Sequence, residues 1–380
     1  ERKRIFTVLS KLAPKCNEVD LMMEEPELAD TITYLSEQYG GGHIERYVDH
    51  LIEYRNHRSV KTALLQAEDA HNDGKTAEEI ASTFTGSVAK ALSKRKGQVH
   101  IKDASAEAEA KFLAIDAGGA TAIPTGFKRL DMNLQGGFQN GWLYTLAARP
   151  GVGKSALAVH FATQAAHKGI RTSYASLEMS AGQLAGRLLT SVSGVPRPKG
   201  QGSLTQQHKT KLSQTARSLR SWPIVFKDDT ESTVEAFGAF LAQQRLEGDL
   251  GFAVVDYLQL LSSPGHDSRV QEVSHITREL KKFALLYEIP ILALSQLNRA
   301  LESQNRDPCL SDLRESGSIE QDSDAVILLN RKEELQDHND VIKVNLAKGR
   351  DCETGVILAK FDKKLGRFSS YHEPVLHDAK

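Results

Sequence analysis

Residues 147–157 read Ala-Ala-Arg-Pro-Gly-Val-Gly-Lys-Ser-Ala-Leu. Gly151 and Gly153 free the backbone to turn its N–H groups toward an anion, Lys154 adds a cation and Ser155 a metal-ligating hydroxyl. These are the parts of a phosphate-binding loop. Amides and a helix N-terminus hold phosphate oxygens, the lysine reaches the β and γ phosphates, and the serine ligates Mg²⁺. Such a loop requires a strand before it and a helix after it. The apolar run Trp142–Ala147 and the spacing of Leu157, Phe161 and Ala165 predict both. The first glycine of the usual pattern is Ala148 here, while Arg149 and Ala156 join Gly151, Gly153, Lys154 and Ser155 in the expected nucleotide set. ATP or a related nucleotide, with Mg²⁺, is the ligand this chemistry fits.

Hydrolysis also needs an acid to hold the metal and a group to activate water. Asp256 closes the apolar strand candidate Phe252–Val255, a position from which a carboxylate can hold Mg²⁺ through water. Glu178 follows the strand candidate Thr172–Ala175 and could polarise the attacking water; its plainer alternative is a solvated glutamate at a helix start. Gln296 follows the strand candidate Ile291–Leu294. Its amide can sense a γ-phosphate, and spacing alone equally allows it to cap backbone groups.

The elements that must position these groups alternate from residue 122 onward. Further strands are expected at Ile224–Phe226 and Val326–Leu329, with helices at 204–219, 233–247 and 270–287. Alternation of this kind predicts an α/β domain with a mostly parallel sheet covered on both faces, binding ligand beyond the carboxyl ends of its strands. Val341–Leu346 and Val356–Phe361 read as a closing β pair. The first quarter is different. Ile44, Tyr47, Val48, Leu51 and Ile52 share one helical face, and Thr76 with Glu79 has capping-box spacing ahead of Ile80, Phe84, Val88 and Leu92. This front part is either a plain helical hairpin or an oligomerisation module. The expected division is a helical domain at 1–95, a linker with a short helix at 96–121, and the α/β domain at 122–380.

Composition sets outer limits. The chain has 380 residues, 48 Lys and Arg against 49 Asp and Glu, and no apolar run near the roughly 18 residues of a membrane span. Contact with nucleic acid must therefore come from local basic clusters. Cys16, Cys309 and Cys352 form no CxxC pair, which argues against a zinc ribbon or disulfide framework and fits a reducing compartment, the cytoplasm by default. The chain begins with Glu1 and the charged run to Arg4, so a fragment lacking its natural start is expected.

Six blocks together resemble the DnaB family of replicative DNA helicases, bacterial or phage: Thr125–Asp131, Ala148–Ser155, Ser176–Met179, Val255–Leu260, Ser295–Arg299 and Ser311–Asp324. The resemblance implies a RecA-like motor domain in a homohexameric ring. Such a ring moves along single-stranded DNA, 5′ to 3′, with ATP between subunits and with primase and a helicase loader as partners. It makes Glu178 the catalytic glutamate, Asp256 the metal-holding acid and Gln296 the phosphate sensor. Lys348 and Arg350 match the basic pair that reaches a neighbour's γ-phosphate; without the resemblance they read as a solvated β-turn. Arg314, Glu315 and Gly317 fall in a loop that touches the DNA backbone, as arginine and glycine can. The loop at 263–269 is a second candidate. Two other classes share the core: a filament-forming recombination or repair ATPase, and a nucleotide-dependent adaptor that recruits primase or a loader.

Overall fold

A computed structural model describes residues 61–75, 80, 84, 87, 100–116, 122–228, 232–298, 306–313, 317–331 and 341–371. The chain divides between Ser93 and Lys94 into two compact units. In the first, residues 61–72 are helical with Ala63 and Ala70 buried, Ile80 and Phe84 are also helical, and the Ser87 hydroxyl donates to Gln66 Oε1 at 2.8 Å. The helical face expected at 44–52, the capping pair Thr76 and Glu79, and Val88 and Leu92 lie outside the described residues.

The second unit opens with α1 (Ile101–Asp116), the helix expected in the linker. After it, Asp131 on α2 (Lys128–Asn133) accepts from the Thr125 amide at 2.7 Å and its hydroxyl at 2.6 Å. That pin seats Phe127 and Leu130 in the core.

A sheet of nine strands follows: β1 (Leu143–Ala148), β2 (Arg171–Ser176), β3 (Ile224–Lys227), β4 (Leu250–Asp256), β5 (Ile291–Gln296), β6 (Ala325–Arg331), β7 (Val341–Gly349), β8 (Gly355–Asp362) and β9 (Arg367–Ser370). Its order is β3-β2-β4-β5-β1-β6-β7-β8-β9. The first six strands run parallel and the last three extend the sheet antiparallel. Sequence explains the division. β1 is buried along its whole length, as a strand covered on both faces must be, while β8 alternates buried and open positions. One face of β1, carrying Tyr144, Leu146 and Ala148, packs with α3 (Lys154–His167) and α4 (Ala181–Ser193) in a single apolar cluster. On the other face lie α6 (Val234–Glu247) and α7 (Arg269–Tyr287); α5 (Gln206–Leu219) packs on α4.

The expected helices at 204–219, 233–247 and 270–287 correspond to α5, α6 and α7. Neither α4 nor β9 follows from the sequence reading. α4 does carry helical spacing, with Leu184, Leu188, Leu189 and Val192 on one side, and its start is fixed by a reciprocal cap between Ser180 and Gln183. β9 buries only Phe368.

Candidate active site

Parallel register brings four strand ends to one edge. Ala148 pairs with Gln296 across β1 and β5, and Ser176 with Asp256 across β2 and β4. The loop leaving β1 turns through Gly151 (φ 74°) and Gly153 (φ 117°), backbone that only glycine adopts without strain. Gly153 is doubly constrained: a Cβ there would lie 3.1 Å from the Phe368 ring and 3.2 Å from the Phe361 ring. Those rings stack on each other with centroids 4.5 Å apart, so the β8–β9 hairpin forms a wall of the loop. Lys154 then opens α3, with its ammonium 4.6 Å from the centre of the Tyr257 ring. Burial pulls its pKa down, and the carboxylates of Asp256 and Glu178 oppose that pull.

Asp256 is almost wholly buried. Its Oδ2 accepts from the Tyr174 hydroxyl at 3.1 Å, while Oδ1 has no protein partner. A buried carboxylate oxygen left bare costs stability unless something outside the chain satisfies it. A metal-bound water would do so, and with the Ser155 hydroxyl at the start of α3 these residues fit a Mg²⁺ site. Burial and the Asp256 charge push Tyr174 well above the usual phenol range, which keeps it a donor.

A cavity of about 550 Å³ opens over this edge and is lined by the loop, Glu178, Tyr257 and Gln296. Glu178 is exposed to it. Gln296 is held by a residue that sequence reasoning did not single out. Gln259 donates to the Ser295 hydroxyl at 2.9 Å and accepts from the Gln296 backbone N–H at 3.2 Å, tying the end of β5 to the turn after β4. Arg187, Arg197 and the hairpin tip at 363–366 also line the cavity and were not anticipated. The one available signal was Arg187, nine residues beyond Glu178 on the following helix.

Lys348 and Arg350 are elsewhere. Gly349 pairs with Ala325, and the carboxylate of Asp324 accepts from the Leu143 amide at 2.8 Å, so this pair sits at the amino ends of the parallel strands. The distance from the P-loop is one strand length, about 17 Å. Their surroundings are structured, in contrast to the solvated turn that spacing alone allowed. Lys348 donates to the carbonyls of Glu320 and Ser323, the latter at 2.9 Å. Arg350 donates to the Gln321 carbonyl at 3.1 Å and to Asp324 at 3.2 Å. All four acceptors lie in or just after α8 (Gly317–Asp322), so both cations cap its carboxyl end. Burial and then the Arg350 charge draw Lys348 down. Gly317 is the exposed first residue of α8, whereas Arg314 and Glu315 lie outside the described residues. In the second candidate loop, Arg269 pairs with Glu272 at 2.6 Å and donates to the Gln259 carbonyl at 2.8 Å.

The family profile of the DnaB-like helicase C-terminal domain matches residues 122–370. Replicative DNA helicase DnaC of Bacillus subtilis is 32% identical over 392 aligned positions, which span 96% of this chain and 86% of that protein. Replicative DNA helicase DnaB of Geobacillus stearothermophilus is likewise 32% identical, over 96% of this chain and 86% of its own length. Among solved structures, the ATPase domain of G40P superposes with a TM-score of 0.68 at 29% identity, covering 73% of this chain and all of that one. A DnaB-like replicative helicase studied for its interactions with primase shares the fold, with a TM-score of 0.70 over 97% of this chain and 91% of its own at 24% identity. Agreement that runs from Ala122 through the last strand, with relatives aligned along nearly the whole chain, means that this protein belongs to the DnaB family of replicative DNA helicases.

Proposed function

We propose that this chain is an ATP-driven replicative DNA helicase whose working form is a ring of six copies moving 5′ to 3′ on single-stranded DNA. The observation that carries the reading is the convergence of the P-loop, Glu178, Asp256 and Gln296 on one sheet edge above one cavity. ATP is the substrate. The amides around Gly151 and Gly153, with Lys154 and the start of α3, bind its phosphates, and Arg149 and Ala156 flank them. Ser155, and Asp256 through water, would hold Mg²⁺, which neutralises phosphate charge when bound. Glu178 takes the proton from the attacking water, and Gln296, held in place by Gln259, reads whether the γ-phosphate is present.

Lys348 and Arg350 act on the nucleotide of a neighbouring copy. Their place at the opposite sheet edge supports this, because about 17 Å of strand exceeds the reach of either side chain to its own P-loop. Arg314, Glu315 and Gly317 track the DNA backbone, which suits a motor without sequence preference. Primase and a helicase loader are the protein partners proposed, and the cytoplasm the compartment. Among the described residues no helix is long and apolar enough to cross a membrane.

The test is unwinding of a forked duplex with ATP, compared with forks lacking each single-stranded tail in turn. Unwinding that needs ATP and the 5′ tail is expected. ATP hydrolysis without unwinding of any fork would overturn the reading in favour of an adaptor.

A further inference from the structure

Over the whole chain, acidic and basic residues nearly balance, 49 against 48. From Met179 to Lys227 they do not: the stretch holds eight Lys and Arg and no Asp or Glu. Arg187 and Arg197 belong to the nucleotide cavity. The others cluster around α5, a helix with no fully buried residue. Lys209, Lys211, Arg217 and Arg220 are all exposed there, and none has an ion pair among the described residues. The next carboxylate in the chain, Asp228, is turned away to cap α4, accepting from the Ala181 amide at 2.8 Å.

Helix stability explains only half of this. Arg217 and Arg220 sit at the carboxyl end of α5, where cations favour the helix dipole. Lys209 and Lys211 sit near its amino end, where the dipole opposes them, and the first turn carries no acid to compensate. A helix that keeps unpaired cations at its unfavourable end is shaped for an anionic partner. Lys209, Arg217 and Arg220 fall within about 80° of one another around the helix axis and form one basic face, while Lys211 points to the other side; from Lys209 to Arg220 the helix rises about 16 Å, enough to follow several phosphates of one strand. The position lies toward one edge of the sheet. α5 leads into β3, the outermost strand, and β2 and β4 lie between it and β5, about 14 Å at ordinary strand spacing.

We propose that the exposed basic face of α5 binds the sugar-phosphate backbone of a second DNA strand at a fork, apart from the strand held by the 314–317 loop. The inference rests on the reading that the assembled protein binds forks, and adds a site that the reading does not contain. Recognition is electrostatic and without sequence preference, since the patch offers cations and no aromatic side chain among Gln206–Leu219.

The experiment measures affinity across a salt series for a fork with both tails and for one carrying only the 5′ tail. It uses the full chain and a variant with Lys209→Ala, Lys211→Ala, Arg217→Ala and Arg220→Ala. A second variant, Lys209→Gln with Lys211→Gln, leaves the carboxyl-end cations on the helix and keeps the test valid if the first fails to fold. On the two-tailed fork, the slope of log affinity against log salt should fall by about 2 to 3 in the first variant and by about 1 in the second, which removes one of the three cations on the shared face. Binding to the one-tailed fork and DNA-stimulated ATP hydrolysis should stay as they were. Unchanged slopes on the two-tailed fork would overturn the proposal and point to an acidic protein surface as the partner. An equal fall on both forks would also overturn it, by making α5 part of the main track. Failure of the unaltered chain to bind either fork would instead sink the underlying helicase reading.

Discussion

Lys154 and Glu178 share a cavity, but their surroundings assign them different tasks. Lys154 is drawn in, with Asp256 and Glu178 opposing the loss of its charge, which suits the ground-state phosphate binding proposed for it. Glu178 stands exposed, and in its proposed role it is needed chiefly when water attacks. Lys154→Ala should therefore weaken nucleotide affinity. Glu178→Gln should keep that affinity while hydrolysis falls about 10²- to 10⁴-fold, the usual worth of a general base. Equilibrium nucleotide binding beside steady-state hydrolysis separates the two, and equal loss of affinity in both variants would contradict the role given to Glu178. Asp256 and Gln296 were legible because each ends an apolar strand, and Lys154 because its glycine-rich motif falls between a strand and a helix. Tyr174, Tyr257 and Gln259 were not. They act by orienting Asp256, Lys154 and Gln296, and only the fold reveals which atoms meet.

At the scale of elements, α3 must hold the P-loop against the core, and one fastening is titratable. His160 on α3 bonds to the Thr125 carbonyl at 3.1 Å and packs on Phe127 with ring centroids 5.0 Å apart. Burial pushes its pKa down from 6.5 to about 4. As pH falls through that window the unfolded chain gains a proton that the folded ring refuses. Stability is therefore full above about pH 6.5 and is lost toward pH 4, by on the order of 2 to 3 kcal/mol. Thermal unfolding of the protein and of His160→Gln across this range checks it: the difference between them should shrink as pH drops, and a constant difference would contradict it. Of the elements themselves, β1, β4, β5 and β6 were readable as largely apolar runs, and α5 to α7 by length and periodicity. The helix at 61–72 was missed because alanines, not large apolar residues, form its buried positions. β9 was missed because a single phenylalanine specifies it, whereas α4 carried a readable signal, the Ser180 and Gln183 capping box ahead of Leu184, Leu188, Leu189 and Val192, that the reading passed over.

At the scale of the molecule, the sheet has two functional edges. The carboxyl ends of the strands carry a site for nucleotide, and the amino ends carry Lys348 and Arg350, bound to the end of α8. In the proposed reading Lys348 and Arg350 serve the nucleotide of a second copy arranged head to tail, and closure of that arrangement gives a ring. α8 starts at Gly317, in the loop proposed to touch DNA, and ends on Lys348 and Arg350, so the proposed ring has a direct path from DNA contact to hydrolysis next door. The composite site is the central claim, and mixing two inactive variants tests it. Arg350→Ala retains its own P-loop and Lys154→Ala retains its own Arg350. With free exchange of subunits and random assembly, about one interface in four combines an intact P-loop with an intact Arg350. The mixture should then hydrolyse ATP well above either variant alone. If subunits demonstrably exchange and hydrolysis stays at the level of the separate variants, Arg350 does not act on a neighbour's nucleotide.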